Sequence, residues 1–169
     1  GTLDEHPLVA DQTNATLGSE LFNGTDKGVN LFTSSGGGVV LTIAYSSEEW
    51  IMTGNGGDSI GLMYLSDRSA NGGLSEDLEA NTLYKITFDA KRNAVGATSI
   101  QVIGANSTTH SLTTNYESYT TILKADASPS DTDHYIRGIS IADDEAVYIK
   151  NISVKKINGN AGLMTNMAS

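Results

Sequence analysis

The sequence predicts an all-β protein, a sandwich of two antiparallel sheets. Three observations carry this. Segments of alternating apolar and polar residues recur at roughly 8–14-residue spacing, as in sandwiches and barrels. Gly- and Asn-rich turns separate them, with 18 Gly but only 2 Pro in 169 residues. Helical periodicity is nearly absent, and no heptads or internal repeats stand out. A chain of this length is one ordinary domain and buries about 70% of its unfolded surface, so it folds without a metal or disulfide.

Residues 1–30 show no sustained period and read as an extended N-terminal arm, with a short strand around Leu21–Phe22. The sandwich is placed at 31–157 and a C-terminal tail at 158–169. The first strong strand is VVLTIAY at 39–45. Its preceding Gly36-Gly37-Gly38 is a poor phosphate loop, because a strand comes next and no Lys-Ser or Lys-Thr does. Trp50-Ile51-Met52 is a short apolar piece, and GNGGD at 54–58 is a turn. A strand at 60–65 (IGLMYL) precedes a loop at 66–77 whose Asn71-Gly72-Gly73 centre supplies positive φ cheaply. LSEDLEAN at 74–81 allows one or two helical turns, with Ser75 as cap. The clearest strand is LYKITFDAK at 83–91. Tyr84, Ile86, Phe88 and Ala90 share one face; Lys85, Thr87, Asp89 and Lys91 share the other, as a sheet covered on one side requires. Further strands come at 99–105, 119–124, 135–141 and 146–157. Asp143-Asp144-Glu145 between the last two reads as a hairpin turn.

The net charge of −10 argues against nucleic acid, since phosphate contacts need clustered Lys and Arg. It argues equally against anionic membrane surfaces. No apolar run is long enough to span a bilayer. The absence of cysteine excludes disulfides, thiolate metal sites and thiol nucleophiles. No G-x-S-x-G elbow appears, and His6, His110 and His134 lie far apart without an H-E-x-x-H pattern. Asp131-Thr132-Asp133-His134 comes after Ser128-Pro129-Ser130 and reads as a solvated loop. Glu48-Glu49 and Asp143-Asp144 are adjacent, which on a strand sends them to opposite faces. The expectation is therefore a non-enzymatic protein.

LEANTLYKITFDAKRN at 78–93, SIQVIGAN at 99–106, NYESYTTILKAD at 115–126 and YIRGISIADDEAVYIKNISVKKI at 135–157 together resemble the carbohydrate-binding-module type of galactose-binding-like jelly roll. The resemblance implies a jelly-roll β-sandwich with a glycan site. It also implies a structural Ca²⁺ near the last strand, where an Asp commonly precedes an Asn. Here Lys150 precedes Asn151, and a cation opposes a metal that wants carboxylate oxygens. Asn23, Asp26 and Asn151 remain as oxygen donors, but no metal or other cofactor is assigned. A sugar site needs an aromatic platform and polar neighbours. Trp50, Tyr64, Tyr116 and Tyr119 are the ligand-binding candidates, with Tyr45 beside them; the single Trp suits a core anchor as well as a sugar platform.

The run from Val154 to Met167 (VKKINGNAGLMTNM) is similar to the tail found after such jelly rolls in structural proteins of tailed bacteriophages. That resemblance implies a virion accessory protein, a capsid decoration or fibre or tail component on the particle exterior, and a homo-oligomer, with a trimer as the expected form. Its partners would be other virion proteins, docked through the sandwich edge and through Leu8, Val9, Leu163, Met164 and Met167 in the two arms. The loops at 54–58, 66–77, 105–115 and 126–134 would face solvent. A carbohydrate-binding module reading a glycan through surface aromatics is the alternative.

Overall fold

The computed structural model describes residues 15–35, 41–55, 59–93, 96 and 98–160. They form two antiparallel sheets packed face to face. The strands are β1 (Ala15–Glu20), β2 (Thr33–Ser35), β3 (Leu41–Ser46), β4 (Glu49–Gly54), β5 (Ser59–Tyr64) and β6 (Leu83–Arg92). They continue with β7 (Ser99–Ile103), β8 (Ser107–Ser111), β9 (Glu117–Lys124), β10 (Tyr135–Ile141) and β11 (Ala146–Asn160). The first sheet runs β3-β4-β11-β6-β9, with β1 also on β11; the second runs β2-β5-β10-β7-β8. Val39 and Val40, expected to open a strand, lie outside the described residues.

The alternation seen in the sequence decides which side of each strand is buried. In β6, Tyr84, Ile86, Phe88 and Ala90 are all at most 1% exposed. They meet Ile100, Val102 and Ile136 of the second sheet in one core. Removing these side chains from water is the main stabilising term, at about 25 cal/mol per Å² of apolar area.

Two strands break the period-2 rule in order to keep it. In β11, Val147 and Ile149 point inward, and so do Ile152 and Val154. The extra residue is absorbed by a register shift between Lys150 and Ser153, with Asn151 at φ 52°. In β10, Ile136 and Gly138 are inward and then Ile141, with Ser140 at φ 55° and a shift between Gly138 and Ile141. These are β-bulges, which insert one residue and re-aim the rest of the strand.

Three expectations change. The N-terminal segment is not free from residue 15 on. β1 pairs with β11, Leu17 opposite Ile157 and Glu20 opposite Lys155. β11 is long enough to hold β4 along its start and β1 along its end. Leu21, Leu31 and Phe32 are buried, and Gly24–Asn30 forms 3-10 turns broken at Gly28. Low local periodicity hid this, because the segment is anchored by long-range pairing.

Second, Asp143-Asp144-Glu145 does not close a hairpin. β10 and β11 lie in different sheets, so this segment crosses between layers. Glu145 is buried and its carboxylate accepts from Ala142 N at 3.0 Å. Third, 74–81 is not helical. Leu74 and Leu78 are buried, and the Tyr84 hydroxyl accepts a hydrogen bond from Glu79 N at 2.7 Å. Core contacts hold this segment in an irregular path that its propensity alone would not choose.

Candidate functional site

Trp50 belongs to the core and is not a surface platform. β4 alternates so that Trp50 and Met52 face inward, leaving Trp50 1% exposed. Its ring sits 4.8 Å from Tyr45, 5.9 Å from Phe32 and 6.1 Å from Phe22, centroid to centroid. Its indole N–H donates to Gly28 O at 2.7 Å. A fully satisfied, enclosed indole has no face to offer a ligand.

Tyr119 also turns inward. It stacks on Phe88 at 5.6 Å and 28° and lies 5.1 Å from His110, closing the sandwich between β8 and β9. Its hydroxyl donates to Ser111 O. Burial, and then the Glu117 charge, push its pKa above the usual tyrosine value.

Tyr116 is on the outer face of the first sheet. Its ring lies 4.0 Å from Lys150 Nζ and 4.7 Å from Lys91 Nζ, and its hydroxyl donates to the Glu49 carboxylate. Burial first, then the Glu49 bond, raise its pKa well beyond the ordinary range. Lys91 also reaches Tyr148, at 4.8 Å. Asp89 accepts from Ser118 Oγ at 2.5 Å and from Asn151 Nδ2 at 2.7 Å. These two bonds, and more weakly Lys150, hold its carboxyl below the usual value. The Tyr116 ring and hydroxyl are thus held by Lys150, Lys91 and Glu49.

Tyr64 stands on the opposite side of the molecule, where the structure builds a different surface. Met63, Ile136, Ile100 and Val102 are fully buried, so their strand neighbours point outward. Register then assembles two rows across the second sheet. One is Thr33–Leu62–Arg137–Gln101–Thr109, from β2 to β8. The other is Tyr64–Tyr135–Ile103–Ser107. Five strands at their usual spacing span about 19 Å.

The tyrosines meet edge to face at 6.1 Å and 85°. Arg68 lies 4.6 Å over the Tyr64 ring and Arg137 5.5 Å from the Tyr135 ring. Arg137 Nε donates to Gln101 Oε1 at 2.9 Å, and Gln101 Nε2 donates to Thr109 Oγ1 at 3.1 Å. Among the described residues no carboxylate is in ion-pairing range of either arginine. The arginine side chains are therefore aimed by their neighbours yet keep charge to offer.

The loop carrying Arg68 is pinned. Tyr64 N donates to Asn71 O and Gly73 N to Tyr64 O, both at 2.9 Å. Lys27 Nζ donates to Arg68 O at 2.6 Å, and Asn71 Nδ2 to Thr33 Oγ1 at 2.8 Å. Aromatic rings beside a fixed line of guanidinium, amide and hydroxyl groups suit a ligand with apolar C–H faces and many hydroxyls.

Of the sequence candidates only Tyr64 lies on this surface. Tyr135, Arg137, Gln101 and Arg68 were missed. The signal was present in YIRGISI, where Tyr135, Arg137 and Ile139 alternate with buried positions. Leu8, Val9, Leu163, Met164 and Met167 lie outside the described residues.

For metal, no group of three or more His, Asp or Glu side chains suited to an ion occurs among the described residues. Asn151 is bonded to Asp89. Asn23, with its amide oriented to donate, reaches Leu74 O at 3.0 Å. Buried His134 accepts from Asp126 N at 3.1 Å through Nε2, with the Asp126 carboxylate 3.3 Å away. No helix among the described residues is long and apolar enough to cross a membrane.

Solved structures similar in fold to this chain include carbohydrate-binding modules. A CBM4 module superimposes with TM-score 0.53 at 14% identity, covering 78% of this chain and 98% of its own. The CBM1 module of BiXyn10A, in its apo form, gives TM-score 0.55 at 16% identity, covering 82% and 97%. At these identities the likeness is one of fold. No protein-family model and no curated protein matches the sequence.

Proposed function

We propose that this domain is a carbohydrate-binding module that holds a glycan chain across the outer face of its second sheet. The observation that carries the reading is the pair of rows there, Tyr64–Tyr135 beside Arg137–Gln101–Thr109. The tyrosines would pack against sugar rings. Arg137, Gln101 and Thr109 would exchange hydrogen bonds with hydroxyls, and Arg68 would close the Tyr64 end. These contacts run over four strands, about 14 Å, which favours a short stretch of a polymer over a single sugar. The fold likeness to carbohydrate-binding modules supports the same class. His134 is 1% exposed, so its ring is closed to a substrate.

Attachment to a virus particle has no comparable support. The residues expected to dock, Leu8, Val9, Leu163, Met164 and Met167, lie outside the described residues. The first part of the phage-like run, Val154–Asn160, is the end of β11, and Val154 is core.

The test is a titration of soluble oligosaccharides, chosen from a glycan array, against three variants. Tyr135→Ala and Arg137→Ala should each weaken binding by about tenfold or more, as central contacts do. Tyr116→Ala, on the opposite face, should leave it unchanged. Loss of binding in Tyr116→Ala alone would move the site to the first sheet and refute this assignment.

A further inference from the structure

The outer face of the first sheet carries a second feature that the glycan reading does not use. Lys85 of β6 and Lys155 of β11 are directly opposite in register. Like charges in that position repel. Next to them Thr87 pairs with Ser153. These four residues and Leu17 of β1 line an open recess of about 140 Å³.

At the other end of the same face, Lys91 and Lys150 are placed over aromatic rings, and Lys150 also acts on the Asp89 carboxyl. Lys156 is paired with Glu79 at 2.6 Å. Lys85 and Lys155 have no carboxylate within ion-pairing distance among the described residues. The acid nearest in register, Glu20 opposite Lys155, keeps its charge but spends its oxygens on other donors. Its Oε1 accepts from Val154 N at 2.7 Å and Phe22 N at 3.0 Å, and its Oε2 from Ser153 Oγ at 2.5 Å. In a chain of net charge −10, two lysines without an ion-pair partner among the described residues stand opposite in register beside a recess lined by two hydroxyl side chains. Leu17, 41% exposed, forms an apolar wall.

We infer that this recess is a binding site for a single oxyanion group — a carboxylate, sulfate or phosphate — held between Lys85 and Lys155, with the Thr87 hydroxyl as a further donor. An anion there converts the repulsion into two charge-assisted contacts. The site is on the opposite sheet from the proposed glycan face and does not depend on it.

The experiment is amide NMR on the full chain at constant ionic strength, titrating inorganic sulfate, glucuronate and glucose. Sulfate and glucuronate should produce saturable shifts at Leu17, Thr87 and Ser153, and glucose none. Glucuronate tighter than sulfate identifies an acidic sugar as the carrier; equal or weaker affinity identifies a free anion, and either supports the site. Lys85→Gln and Lys155→Gln should each weaken binding by about tenfold, while both unliganded variants melt no lower than the parent, since a repulsion is removed. Absence of saturable shifts, shifts that persist unchanged in both variants, or variants that melt well below the parent would overturn the inference.

Discussion

Trp50 offers the sharpest test of the core. Its indole is enclosed by Phe22, Phe32 and Tyr45 and donates to Gly28 O. Truncation to Ala removes a large, fully buried ring and leaves a cavity, which costs about 4 kcal/mol. Roughly 1 kcal/mol of that is the lost hydrogen bond; the Gly28 carbonyl keeps a weaker donor in Leu31 N at 3.2 Å. Trp50→Phe keeps most ring contact and loses the N–H, so about 2 kcal/mol is expected. At about 2–4 °C per kcal/mol for a domain of this size, the melting point falls by roughly 8–16 °C for Ala and 4–8 °C for Phe. Urea unfolding monitored by far-UV circular dichroism measures both, independently of the lost fluorophore. As the chain's single tryptophan, Trp50 in the parent should emit at the short wavelengths of a buried indole and ignore added glycan. Variants within about 0.5 kcal/mol of the parent, together with an emission that moves on adding sugar, would refute the placement.

Two other positions give tests that rest on single contacts. Burial lowers the His110 pKa from its usual 6.5. The unfolded chain therefore takes up the proton first, and the stability held above that pH is lost as pH falls through the depressed value. His110→Gln should flatten this limb of a melting-point versus pH curve, and an unaltered curve would count against it. Gly54 is tight against the crossover to β11, and a Cβ there would come 2.2 Å from Ala142 O and 2.5 Å from Ile141 O. Gly54→Ala should cost about 3 kcal/mol through backbone displacement, seen as a clear drop in melting point; an unchanged melting point would mean that the crossover yields freely.

Much of the sandwich was legible because burial on one side imposes a period of two. LYKITFDAK shows β6 up to its last residue, Arg92, and its inward set is the one found in the core. The bulge in β11 can be read in VYIKNISV, where apolar spacing changes from two to three at an Asn suited to positive φ. The same logic makes Tyr135 and Arg137 neighbours on one face. What the sequence could not decide is which strands adjoin. β10 and β11 are consecutive yet lie in different sheets, and β1 finds its partner at the far end of the chain. A pairing between distant segments leaves no local pattern, since each strand carries only its own alternation. For the same reason Trp50 read equally well as platform or core: alternation gives it a side, but only packing of the 3-10 segment over that side encloses it. The five-strand row Thr33–Leu62–Arg137–Gln101–Thr109 and the opposed Lys85 and Lys155 are products of register, and register is set by tertiary structure, where bulges and core contacts lock each strand against the next.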